Sequence, residues 1–317
     1  MKWSKIKSWF GRKSEITTAG FALPAAVMEI EPGFVAGARL DGGSSVRRLA
    51  VREFRPAALR VSFNRPNVEA REEVAQAVEA VAAVVGHGGA SVGLLVPDGA
   101  VRTVVLGFES LPDNRAEADA LIRWRVLERL ANPDEEVLIS YQEVGRGPKG
   151  VELLVVAARS SVLSGYIAAL GSSGAAPALL LPSTMALLPM VASEEEGGDM
   201  IVHVAGGWVS IVVLSEERVY SWRSRPAHLD LGTELGAEAR RVAVSVRDRH
   251  HLEVRRLWLS ERPPVSPSLA AELGNELATD VRPLQPLARW GASLSEAEKE
   301  TFQQFGAPVS GLLSNRA

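Results

Sequence analysis

Short apolar runs, glycine turns and amphipathic stretches alternate along this chain, and one such pattern occurs twice. Met200 to Leu214 reads MIVHVAGGWVSIVVL: an apolar strand, a tight turn at Gly206-Gly207, and a second apolar strand. Residues 27 to 40, VMEIEPGFVAGARL, have the same build. Laid without gaps, Glu29 falls on His203, Gly33 on Gly207, Phe34 on Trp208 and Leu40 on Leu214. A repeat this widely spaced implies two similar domains, not a solenoid.

The flanking pattern extends the repeat. Strands are predicted at Ala25 to Glu31, Val35 to Leu40 and Arg47 to Phe54. A helix capped by Asn67 carries Val74, Val78, Val81 and Val85 at helical spacing, and a strand at Ser91 to Val96 follows. After the acidic link Glu194 to Asp199, the hairpin is followed by a strand at Val219 to Arg223. A helix over Thr233 to Asp248 and a strand at Arg256 to Leu259 come next. Strand, strand, strand, helix, strand therefore recurs in the same order. Between the copies lie a strand in Asp98 to Glu109, a helix from Asn114 to Ala131, and strands at Val137 to Val144 and Val151 to Ala157. A helix from Val162 and a strand ending at Leu181 complete this part.

The expected division is a tail over 1–23, a first domain over 24–92 with a return segment 178–193, an inserted α+β subdomain over 93–177, a linker at 194–199, and a second domain over 200–317. No charged residue occurs from Ser160 to Ser193, but Gly171, Gly174 and prolines 177, 182 and 189 interrupt the run. It reads as helix, strand and helix of a protein interior and not as a membrane span.

Composition narrows the function. With 46% hydrophobic and 23% charged residues the chain is an ordinary globular protein. A formal net charge of −3 supplies no basic field, which argues against nucleic acid as a partner. There are no cysteines, so thiolate metal sites and thiol nucleophiles are excluded. The five histidines show no metal-ligand spacing, and no metal site is expected. The N-terminal MKWSKIKSWFGRKS is not a signal peptide. Trp3, Ile6, Trp9 and Phe10 recur at helical spacing beside Lys5 and other cations. Such a segment suits an anionic membrane surface, or a protein partner.

Two facing α/β domains of one topology point to class α/β and an actin-like (ribonuclease H-like) two-domain fold, with an inserted α+β subdomain in the first domain. The middle of the chain carries a family resemblance. Leu95-Val-Pro-Asp98, Val101 to Phe108, Leu111-Pro112, Ile122-Arg-Trp-Arg125 and Glu135 to Gln142 continue into Leu153 to Ala158 and Tyr166 to Gly171. In order and spacing this series resembles PilM, the actin-like protein of the type IV pilus assembly platform. It is more distantly similar to the cytoplasmic part of GspL and to FtsA.

The resemblance implies a cytoplasmic scaffold at the inner membrane. Its partners would be the tail of a PilN-like membrane protein and pilus motor or assembly-platform components. It also implies a nucleotide site, and there the residues depart from the family. Nucleotide-binding members place an Asp, then a Gly, then small hydroxylated residues in each hairpin, so that backbone N–H groups reach phosphate. The first copy here reads Glu29-Ile30-Glu31-Pro32-Gly33; Glu31 brings negative charge and Pro32 has no N–H. The second reads His203-Val204-Ala205-Gly206-Gly207-Trp208, and the later Gly-Gly position holds Ser260-Glu261. A degenerate site without a cofactor is therefore expected, with no catalytic residue. An active protein that binds ATP and magnesium through the altered site is the other reading. Leu121, Arg123, Trp124 and Arg125 on the inserted helix are candidate partner-binding residues, with Trp124 lining a recess.

Overall fold

The computed structural model describes residues 24–40, 46–86, 92–130, 136–147, 150–191, 196–216, 218–227, 231–262, 268–285 and 295–314. The tail residues Trp3, Lys5, Ile6, Trp9 and Phe10 lie outside them.

The first lobe begins with strands β1 (Ala26–Glu31), β2 (Phe34–Leu40) and β3 (Val46–Glu53), helix α1 (Arg71–Val85) and strand β4 (Val92–Val96). An added unit follows: β5 (Arg102–Phe108), α2 (Arg115–Leu127), β6 (Val137–Gly147) and β7 (Gly150–Arg159). The chain then returns through α3 (Ser160–Gly171), β8 (Pro177–Pro182) and α4 (Ser183–Leu187). The second lobe holds β9 (Gly198–Ala205), β10 (Trp208–Ser215), β11 (Arg218–Pro226), α5 (Leu231–His250), β12 (Val254–Arg262), α6 (Leu269–Leu277) and β13 (Val281–Pro283). Helices α7 (Glu296–Phe305) and α8 (Ala307–Ser314) close the described chain.

The two main sheets have matching orders, β3-β2-β1-β4-β8 and β11-β10-β9-β12-β13. In each, two antiparallel pairings are followed by two parallel ones. Both hairpins turn through glycines at positive φ, Gly33 in one and Gly206-Gly207 in the other, a backbone region that side chains disfavour. Strands β1 and β10 are buried on both faces because each sheet is covered on both sides.

The structure corrects several boundaries. Strands β4 and β8 are paired neighbours in the first sheet, and Val162, Leu163, Tyr166 and Leu170 of α3 belong to the first lobe's core. The added sheet, β5-β7-β6, therefore spans Arg102 to Arg159 and not 93–177. Its own core holds Leu106, Ile122, Val126, Leu153 and Val155. Helices α7 and α8 also join the first lobe, not the second. Phe302, Phe305, Val309 and Leu312 sit in its core, and the Phe305 ring lies 4.8 Å from that of Phe34. Asn67 does not cap α1, which starts at Arg71. It is buried, accepts from the Ser62 N–H at 2.9 Å and donates to the Tyr166 hydroxyl at 3.0 Å. Asn114 does cap α2, accepting from the Ala116 N–H at 2.9 Å.

The uncharged stretch from Ser160 supplies α3, β8 and α4 to the first core, as its glycine and proline breaks predict. No described helix is long and apolar enough to cross a membrane.

Candidate functional site between the lobes

Glu29 and Glu31 stand two residues apart on β1, hence on one face of that strand, and both are buried. His203 on β9 and Ser260 on β12 face each other across a parallel pairing. Strand β12 runs three residues past its predicted end, to Arg262, because its pairing with β9 continues to Ala205. Two residues beyond Ser260, Arg262 shares its side of the strand and enters the interlobe cleft.

Arg262 fills the centre. Its Nη1 donates to Glu29 Oε2 at 2.6 Å and its Nη2 to Glu29 Oε1 at 2.8 Å. The same Nη2 lies 3.2 Å from His203 Nε2. A guanidinium only donates, so His203 Nε2 accepts and Nδ1 carries the proton, donating to Ser260 Oγ at 3.0 Å. Burial first, and then the Arg262 charge, hold the His203 pKa well below its usual range, so the ring is neutral.

Glu31 lies beside this pair. Its Oε1 accepts from Ser183 Oγ at 2.8 Å, while Oε2 has no partner among the described residues. Burial, reinforced by Glu29, pushes its pKa up to about 8, which keeps it protonated at neutral pH. A Cβ at Gly206 would stand 2.6 Å from Glu31 Oε2 and 2.8 Å from Pro32 Cδ. The two hairpin turns are thus in contact.

Asp98, after β4, is the third buried carboxyl. It accepts from the Thr184 N–H at 3.1 Å, from the Thr184 hydroxyl, and from Ser210 Oγ at 2.8 Å. Burial raises its pKa despite these donors. Ser210 in turn lies 2.7 Å from Ser224, which accepts from Trp222 Nε1 at 3.1 Å. Nearby, Trp208 packs on Gly99 so closely that a Cβ there would fall inside the indole.

Glu29, Glu31, Pro32, His203, Gly206 and Ser260 therefore lie together in the cleft. Ala205 is buried on β9. Gly33 packs on Pro56 and Gly207 is exposed, so neither joins the cluster. Arg262, Asp98, Ser183, Thr184 and Ser210 escaped sequence reasoning. The one available signal was a charge in phase with Ser260 at the end of an apolar strand.

The partner candidates lie apart, on α2. Only Ala118, Ile122 and Val126 of that helix are buried. Leu121 is half-buried, and Arg123 donates to the Val137 carbonyl at 2.9 Å. Arg125 pairs with Glu128 at 3.5 Å. Trp124 is 54% exposed. It projects from the outer face instead of lining a recess, because its helical phase opposes Ile122 and Val126.

No family model matches the chain, and no curated protein sequence does. The solved structures do. A chain of a PilM-PilN type IV pilus biogenesis complex superposes with a TM-score of 0.78 and 18% identity, over 93% of this chain and 99% of that one. A Bacteroides thetaiotaomicron protein with actin-like ATPase fold and unknown function gives 0.51 and 8% identity, over 82% and 90%. Together these likenesses establish the actin-like fold.

Proposed function

We propose that this protein is a PilM-like scaffold of a type IV pilus assembly platform. It sits in the cytoplasm against the inner membrane and holds the cytoplasmic tail of a PilN-like membrane protein. The observation that carries this reading is the likeness to a chain of the PilM-PilN complex over 93% of this chain and 99% of that one.

The scaffold role, as opposed to an ATPase, rests on the interlobe residues. Triphosphate and magnesium need backbone N–H donors, glycine at the close approach and a free carboxylate. This cleft offers Pro32, which has no N–H, and Glu31, whose carboxyl is packed against the opposite turn. The Glu29 carboxylate is already held by both arms of Arg262. These residues do not fit a nucleotide. The Arg262 guanidinium instead joins the lobes through Glu29.

The test is calorimetry of the purified chain with a synthetic peptide copying the cytoplasmic tail of a PilN-like protein encoded beside it. Saturable one-to-one binding without nucleotide supports the scaffold. Binding that requires Mg-ATP supports an active member of the same fold, and no binding in either condition overturns the proposal.

A further inference from the structure

A guanidinium without a counter-charge lies where the first lobe, the added sheet and the second lobe meet. Arg102, the first residue of β5, is half-buried, and no described carboxylate pairs with it. Among the described residues its one polar contact is Nη1 to the Val101 carbonyl at 3.5 Å, which leaves most of its five N–H donors without a described acceptor. Burial alone pulls its pKa down. Two aromatic rings approach it instead: its Cζ lies 4.8 Å from the Phe63 centroid and 5.6 Å from that of Trp208. These contacts offset part of the desolvation cost, but rings do not accept in-plane N–H donors as a carboxylate does.

The walls are built, not incidental. Phe63 is 3% exposed, and a second guanidinium, Arg159 at 1% exposure, stacks on the same ring with Cζ at 5.3 Å. Trp208 is fixed by its seat on Gly99. The ring and cation therefore come from a loop before α1, the end of β7, the start of β5 and the tip of the β9–β10 hairpin. Buried arginine beside aromatic rings is the composition of an interface anchor.

We propose that Arg102, between Phe63 and Trp208, is a binding site for the carboxylate of an Asp or Glu side chain of a partner protein. The planar fork matches one planar carboxylate. The inference goes beyond the pilus reading and holds whatever the partner's identity.

The test selects binders from a random displayed peptide library on the immobilised full chain, with calorimetry on the best peptides. Selected peptides should share an acid at one fixed position. Arg102→Ala, and separately Glu→Gln or Asp→Asn in the peptide, should each weaken binding at least about tenfold. The two changes combined should cost little more than either alone, because they remove the same contact. Arg102→Lys keeps the charge without the fork and should lose most of the affinity, which provides a folded control if the alanine variant is unstable. An absence of binders, binders without a shared acid, or fully additive losses would overturn the proposal.

Discussion

Arg262 and Glu29 lie 233 positions apart in the chain and meet as a two-pronged ion pair, with N–O distances of 2.6 and 2.8 Å. One stands on β12 of the second lobe, the other on β1 of the first, at 3% and 0% exposure. A pair this dry owes little to screening by salt. Breaking one side leaves an uncompensated buried charge. Arg262→Ala should therefore destabilise the protein by about 3–5 kcal/mol in denaturant unfolding, whereas Arg262→Met with Glu29→Leu should cost far less. Equal losses for the single and double variants would show that the pair is not what holds the cleft.

The neighbouring Glu31 predicts a pH dependence. It binds its proton up to about pH 8 when folded, against an ordinary value of 4.5. Between those values the folded state holds more protons than the unfolded one, so stability falls as pH rises. The contribution is fully present below pH 4.5 and lost by the time pH passes 8. In Glu31→Gln that slope should vanish, so the variant should gain on the parent steadily from pH 5 upward, most of all above pH 8. Melting curves that stay parallel across this range would contradict the buried neutral carboxyl.

Gly99 and Trp208 make a further contact between the lobes. Gly99→Ala drives a methyl into the indole and should cost about 1–3 kcal/mol. Trp208→Ala in the same chain should relieve most of that increment, a coupling visible in a double-mutant cycle. Strict additivity would mean the two residues do not touch in solution.

Trp124 should behave in the opposite way. At 54% exposure it holds up no core, so Trp124→Ala should leave the melting temperature nearly unchanged. Binding of the partner tail should weaken by at least about 1 kcal/mol. A variant that binds the tail as tightly as the parent would move the interface off α2.

The repeated hairpin was legible in the sequence because its signals are local: glycine turns, and apolar runs of strand length. The same holds for Asn114, the predicted start of the inserted helix, whose side chain accepts from the N–H groups of the first turn. Arg262 was not legible as a partner of Glu29, since no local pattern reports a pairing across 233 residues. Its strand looked finished at Leu259 because polar residues follow, yet backbone pairing with β9 carries it on. Helices α7 and α8 fall in the 200–317 segment assigned to the second domain, because chain order does not say which core receives a terminal helix. Asn67 failed for another reason: the same side chain that caps helices also satisfies loop backbone, and here it serves Ser62.

Arg262, Glu29 and Glu31 occupy the cleft in which the proposed scaffold has no room for nucleotide. Thermal unfolding of the full chain with and without millimolar Mg-ATP is the decisive measurement. A ligand at 100 times its Kd adds about 2.7 kcal/mol, a shift of several degrees for a protein of this size. The melting temperature should stay the same. A clear rise, abolished by substituting Gly206 or Gly207, would show a working nucleotide site instead.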